Sequence, residues 1–231
     1  MGDSLRKLPE RIKDFCNLSK GNVGGAIEAV ASEVVPFLGA VRPVIEETDK
    51  IRLSHLLVGL KHGNDFDFQI EKLYDYIDKP EKASYVVSMF RESLMSSSHI
   101  VNTIMGIQLS KMIGGNSDIT QEDLTIYDAL ISFNDFDAKN YKLIYELTQN
   151  DPFRTDDGIC INDASLRQLP NYDGLMVTVS KSEKVGLLTY LPAATYDEGE
   201  MKAMATGSFY LINKFSKIFY DMICEAFTIC E

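Results

Sequence analysis

Nowhere in the chain of 231 residues is there a run of about 20 uninterrupted apolar residues, the length a bilayer-spanning helix needs. The nearest approach, Val23 to Ile45, is interrupted by Glu28, Glu33 and Arg42 and broken by Pro36 and Pro43. It reads as a pair of short helices, buried or facing a partner, with a membrane-surface helix as the alternative. Cys16, Cys160, Cys224 and Cys230 spell no C-x-x-C, so neither a zinc knuckle nor a dithiol redox motif is present. Met1 to Phe15 mixes Arg6, Lys7, Arg11 and Lys13 with Asp3, Glu10 and Asp14 and lacks a secretory apolar core. A cytoplasmic protein with reduced, mostly buried thiols is therefore expected.

Positive charge is also scarce: 23 Lys and Arg stand against 34 Asp and Glu, a formal charge of −11. Such a balance repels nucleic acid and anionic membranes at long range, so any duplex contact needs a local basic patch. What is present is ordinary globular material, with 45% hydrophobic and 25% charged residues, enough for a sizeable core. That composition excludes collagen-like, disulfide-scaffold and wholly disordered classes.

Apolar periodicity predicts a helix over Asp49 to Gly63 and a second over Phe68 to Ile77. Pro80 stands where a first helical residue belongs, because its missing N–H is an orphan at that position. The pattern from Glu81 to Leu94 resumes after Ser96, Ser97 and Ser98 and stops at Gly114 and Gly115, as one kinked helix or two. Thr120 with Gln121, Glu122 and Asp123 opens a further helix, and Asp137 another. Asp163 to Leu169 reads as a short helix stopped by Pro170, Leu175 to Val179 and Val185 to Leu191 as two strands, and Thr206 to Phe227 as a long closing helix.

The chemistry-bearing patterns are sparse. Asn64-Asp65-Phe66-Asp67 recurs as Asn134-Asp135-Phe136-Asp137, with Lys72-Leu73 and Lys142-Leu143 following at equal spacing. Helix capping by Asp with a stapling Phe explains both copies, since neither has the further oxygen ligands of a calcium loop. His55 and His62 would share a helix face near Asp65 and Asp67, but no His-x-x-x-His spacing supports a metal there. His99 after the serine run has no G-x-S-x-G elbow to serve. Gly21-Asn22-Val23-Gly24-Gly25 lacks the Lys-Ser/Thr of a phosphate loop and the third glycine of a dinucleotide fingerprint. No catalytic residue, cofactor or metal is assigned, and Met89, Met95, Met105, Met112, Met201 and Met204 read as adaptable apolar filling.

Three helices, a strand pair and a closing helix form a layout that resembles the winged-helix superfamily from Ile119 onward. The resemblance is carried by Ser165-Leu166-Arg167-Gln168-Leu169, Asp173-Gly174-Leu175-Met176 and Thr206-Gly207-Ser208-Phe209. It covers less than half the chain, and Pro170 falls where a reading helix would continue. An apolar, glycine-containing start, a helical middle and such a tail are together similar to bacterial abortive-infection proteins of the alpha type. The reading is a mainly α protein with a small β-hairpin: a helical region over residues 1–115 and a winged-helix-like region over 116–231. A non-enzymatic interaction protein of a bacterium or mobile element is expected, binding a protein partner or a second copy through Phe209, Phe215, Ile218 and Phe219. The alternative is a DNA-binding regulator that holds duplex with Arg167 on the short helix and with Lys181 and Lys184 between the two strands. Against those cations stand Asp156, Asp157, Asp163 and Asp173, so no duplex binding is expected at physiological salt.

Overall fold

The computed structural model describes residues 47–61, 66–150, 153–155, 158–191 and 209–230. Expectations for Met1 to Phe15, Cys16, the Gly21 to Gly25 stretch, Val23 to Ile45, His62, Asp65, Met201 and Met204 lie outside the described residues. The described chain is mostly helical with a small antiparallel sheet. The described residues divide into two compact units, those up to Asn134 with Glu225–Cys230, and those from Asp135 to Cys224. The division falls at Asn134, past the Gly115 break that the sequence suggests.

The first unit contains α1 (Glu47–Lys61), α2 (Phe66–Tyr76), α3 (Pro80–Met95), α4 (His99–Gly115) and α5 (Gln121–Ser132). Helix α4 is its axis: every residue from Ile100 to Ser110 is buried, and α1, α2, α3 and α5 all pack on it. A helix buried all round must pair its polar groups internally. Asn102 Nδ2 donates to the Ser93 carbonyl at 3.1 Å, Gln69 Nε2 to Ser110 Oγ at 3.1 Å, and Gln108 Nε2 to Asp123 Oδ1 at 2.8 Å. Helices α1 and α4 cross on two glycines. A Cβ at Gly59 would lie 2.0 Å from the Thr103 carbonyl oxygen, and one at Gly106 would lie 2.0 Å from that of Leu56.

Local signals set most ends in this unit. Pro80 begins α3 as expected. The serine run separates two helices, with Ser98 N–H donating to Ser96 Oγ at 3.1 Å. Asn116 closes α4 in the left-handed region at φ 44°, and Thr120 with Asp123 forms a reciprocal capping box on α5. Met89, Met105 and Met112 are core as read, whereas Met95 is 75% exposed.

The second unit runs α6 (Asp135–Asn150), β1 (Phe153–Thr155), β2 (Gly158–Asn162), α7 (Asp163–Arg167), α8 (Tyr172–Lys184), β3 (Leu188–Leu191) and β4 (Phe209–Ile212). It closes with the part of α9 (Lys214–Cys230) up to Cys224. The strands form one antiparallel sheet in the order β1-β2-β4-β3, with Ile161 opposite Tyr210 and Tyr190 opposite Tyr210 on the other side. Ile144, Ile161, Leu166, Leu175, Val179, Leu188 and Tyr210 make its core.

Three sequence expectations need correction here. Leu175 to Val179 is helical, not a strand: Leu175, Thr178, Val179 and Ser182 are buried at helical spacing, while Val177, which a strand would place beside Leu175, is 55% exposed. The second expected strand begins only at Leu188, because Val185 and Gly186 turn the chain out of α8, Gly186 with φ 79°. The closing helix begins at Lys214, not Thr206, since Phe209–Ile212 pairs with both β2 and β3. Asn213 fixes that junction, its side-chain amide donating to the Gly186 carbonyl at 2.7 Å. A run of aromatic and branched residues fits either element by spacing alone.

Candidate functional site

The most specific polar arrangement of the second unit ties α6 to α8. Asp137 sits in the acidic first turn of α6, and its carboxylate, 5% exposed, reaches across to α8. Thr178 Oγ1 donates to Asp137 Oδ1 at 2.9 Å and Lys181 Nζ to Asp137 Oδ2 at 2.5 Å. Asn140, one turn further along α6, donates from Nδ2 to Thr178 Oγ1 at 3.1 Å and to the Gly174 carbonyl at 3.2 Å. Phe136 stands second in α6 and is 76% exposed. The two tetrapeptide copies differ further on as well, since Leu73 is core and Leu143 is 39% exposed.

On its outer side, α8 presents Asp173, Met176, Val177, Ser180, Lys181 and Lys184 around a shallow hollow of about 470 Å³. Lys181 and Lys184 occupy the last turn of this helix, where cations suit the dipole, and not a turn between two strands. Lys181 is paired with Asp137, whereas Lys184 is exposed beside the equally exposed Glu183. Arg167 is exposed at the end of α7, with its guanidinium 5.7 Å from the centre of the Tyr172 ring. The helix surface is thus balanced in charge, Asp173 and Glu183 offsetting its two lysines, with Met176 and Val177 as its apolar part.

The expected partner-facing set divides. Phe219 is fully buried and packs edge-on against Tyr141 with ring centres 5.2 Å apart, and Phe209 is buried in β4. Both belong to the core. Phe215, with Lys214 Nζ 4.7 Å above its ring, and Ile218 are half-buried. Nearby, Tyr145 stacks on Tyr220 at 4.2 Å, and the Tyr220 hydroxyl donates to Glu146 Oε1 at 3.2 Å. A hydrogen bond with Cys224, then burial, push the Tyr220 hydroxyl to a higher pKa, and burial does the same to Tyr141 against the opposing hydrogen bond of Ser216.

The first unit carries a groove of about 810 Å³ along α3, lined by Pro80, Ser84, Tyr85, Ser88, Leu124 and Tyr127 among others. One end is crossed by a charge network: Lys79 Nζ lies 2.6 Å from Asp118 Oδ1, while the buried Lys82 bridges Asp78 at 3.3 Å and Asp118 at 3.9 Å. These charges brace the α2–α3 and α4–α5 connections to one another. Burial first, then Asp123, Asp118 and Asp78, push the Tyr76 hydroxyl up to about 12.

Among the described residues, no three of His, Cys, Asp and Glu come together as a metal would require. None of their helices is long and apolar enough to cross a membrane. The described cysteines form no disulfide among the described residues; Cys160 is buried, Cys224 half-buried and Cys230 exposed, against the expectation of mostly buried thiols. The sequence reads Asp137 only as a helix start and Val177 only as part of a strand. The signal that finds them is the helical spacing of Leu175, Val179 and Ser182, which puts Thr178 and Lys181 on the side of α8 that meets α6. Comparison with family models, curated proteins and solved structures finds no match.

Proposed function

We propose that this is a non-enzymatic interaction protein of a bacterium or mobile element, and that its Asp135–Cys224 unit is a winged-helix-like module holding another protein. The order α6, β2, α7, α8, β3, β4, with β4 lying between β2 and β3, supports that layout. In it α8 takes the place of a reading helix. The observation that carries the choice of a protein over duplex DNA is the Lys181–Asp137 pair at 2.5 Å. A cation already matched by a largely buried carboxylate has little charge left for a phosphate, so Arg167 and Lys184 alone remain of the three candidates. Two contacts release about two counterions' worth of binding, too little for tight association at physiological salt. Met176 and Val177, flanked by charges of both signs, instead give the apolar centre and polar rim of a protein contact. The resemblance to abortive-infection proteins makes host–phage conflict the setting.

The test is a photo-crosslinking residue at Val177 of the full chain in its native cells. A discrete protein adduct that disappears with Met176→Glu supports the reading. Adducts to nucleic acid alone overturn it. The regulator alternative keeps one favourable observation, the exposure of both Arg167 and Lys184 beside α8.

A further inference from the structure

We propose that α8 docks a second copy of this chain, antiparallel and across a two-fold axis, so that Asp173 of each copy meets Lys184 of the other. The inference rests on the reading above, in which this helix holds a protein, and it names that protein. Asp173, Val177, Ser180 and Lys184 are exposed and recur at steps of four, three and four residues, the spacing of a helix-pairing seam. At 3.6 residues per turn they fall within about 60° of one another. The stripe points away from Leu175 and Ser182, which are buried on the opposite side of α8.

Its chemistry is ordered from end to end as acid, valine, serine and lysine. Reversing a copy end for end about the midpoint, between Thr178 and Val179, sets Asp173 opposite Lys184 at both ends and Val177 opposite Ser180 at the centre. Val177 and Ser180 are small, so two helices can approach to about 8–10 Å between axes. On the flanks the same axis brings Met176 to Lys181. Lys181 is held by Asp137, so it offers Met176 its methylene stem and not its charge. A parallel copy would set Asp173 against Asp173 and Lys184 against Lys184, like charges that select against that arrangement. Val177, 55% exposed, is the apolar surface that the pairing removes from water. One helix pair covers less than the standard interface of about 1,200–2,000 Å², and two chains of charge −11 repel at long range. The dimer is therefore weak and reversible.

The experiment is sedimentation equilibrium of the full chain from micromolar to millimolar concentration, with Asp173→Lys and Lys184→Asp studied alone and mixed. The unaltered chain is expected to form a reversible dimer. Each variant alone apposes like charges at both ends and should associate at least about tenfold more weakly. Their equimolar mixture restores both opposite-charge pairs in a heterodimer, and should associate as the unaltered chain does. A mixture no stronger than its components overturns the proposal. So does a dimer that neither variant weakens, or an unaltered chain that stays monomeric at the highest concentration. That last result leaves the proposed function to the Val177 crosslink, which then reports a different protein if that reading holds and no protein if it fails.

Discussion

Asp137 shows how one side chain can serve a helix other than its own. Its position suits an N-terminal acid, but its carboxylate accepts from Thr178 and Lys181 of α8. Hydrogen bonds to a charged group are worth about 1.5–3 kcal/mol each, so Asp137→Ala should lower stability by about 2 kcal/mol or more in urea unfolding. A cap or an exposed acid would cost less. The sequence shows that Asp137 begins a helix, but not what it meets, because the Thr178 contact is separated by 41 positions in the chain. Gly59 is similar: its type is plain, its role is not, until the Thr103 carbonyl lies against it. Gly59→Ala should cost about 3 kcal/mol, the upper range for overpacking a tight contact. Tyr76 gives a pH test. It is buried with no hydrogen-bond partner for its hydroxyl among the described residues, and its pKa rises from 10.0 to about 12 on folding. The folded state holds that proton more tightly, so Tyr76 contributes fully below pH 10, and its contribution is lost as pH rises toward 12. Tyr76→Phe should flatten that part of the stability profile, and a profile identical to wild type would refute the assignment.

At the level of elements, α8 is where sequence reading and structure part. Leu175, Val177 and Val179 alternate as a strand would, and only burial shows that the helical period wins, with Leu175 and Val179 inside and Val177 outside. Leu175→Ala should therefore cost about 2–5 kcal/mol, a buried leucine truncation. Val177→Ala should stay within about 0.5 kcal/mol, the surface range. Comparable losses at both positions would restore the strand. Helices with their own boundary chemistry were legible: Pro80 opening α3, and Thr120 with Asp123 opening α5. Strand β4 was not, because what makes Phe209–Ile212 a strand is pairing with β2 and β3, partners distant in sequence. The site was legible in part. Arg167, Lys181 and Lys184 do lie on or beside one helix, but the carboxylate that neutralises Lys181 comes from α6 and is invisible in local spacing.

For the molecule as a whole, an excess of 34 acidic over 23 basic residues sets the background against which any partner must bind. Duplex DNA meets that field with like charge, and α8 does not reverse it locally. The measurement that tests this most directly is fluorescence anisotropy of the full chain with duplex DNA, native-host genomic fragments included, from low to physiological salt. The account predicts only weak, sequence-indifferent association that vanishes by physiological salt, with a slope of about −0.9 for each of two phosphate contacts. Tight, sequence-selective binding at physiological salt, abolished by Arg167→Glu with Lys184→Glu, would contradict it.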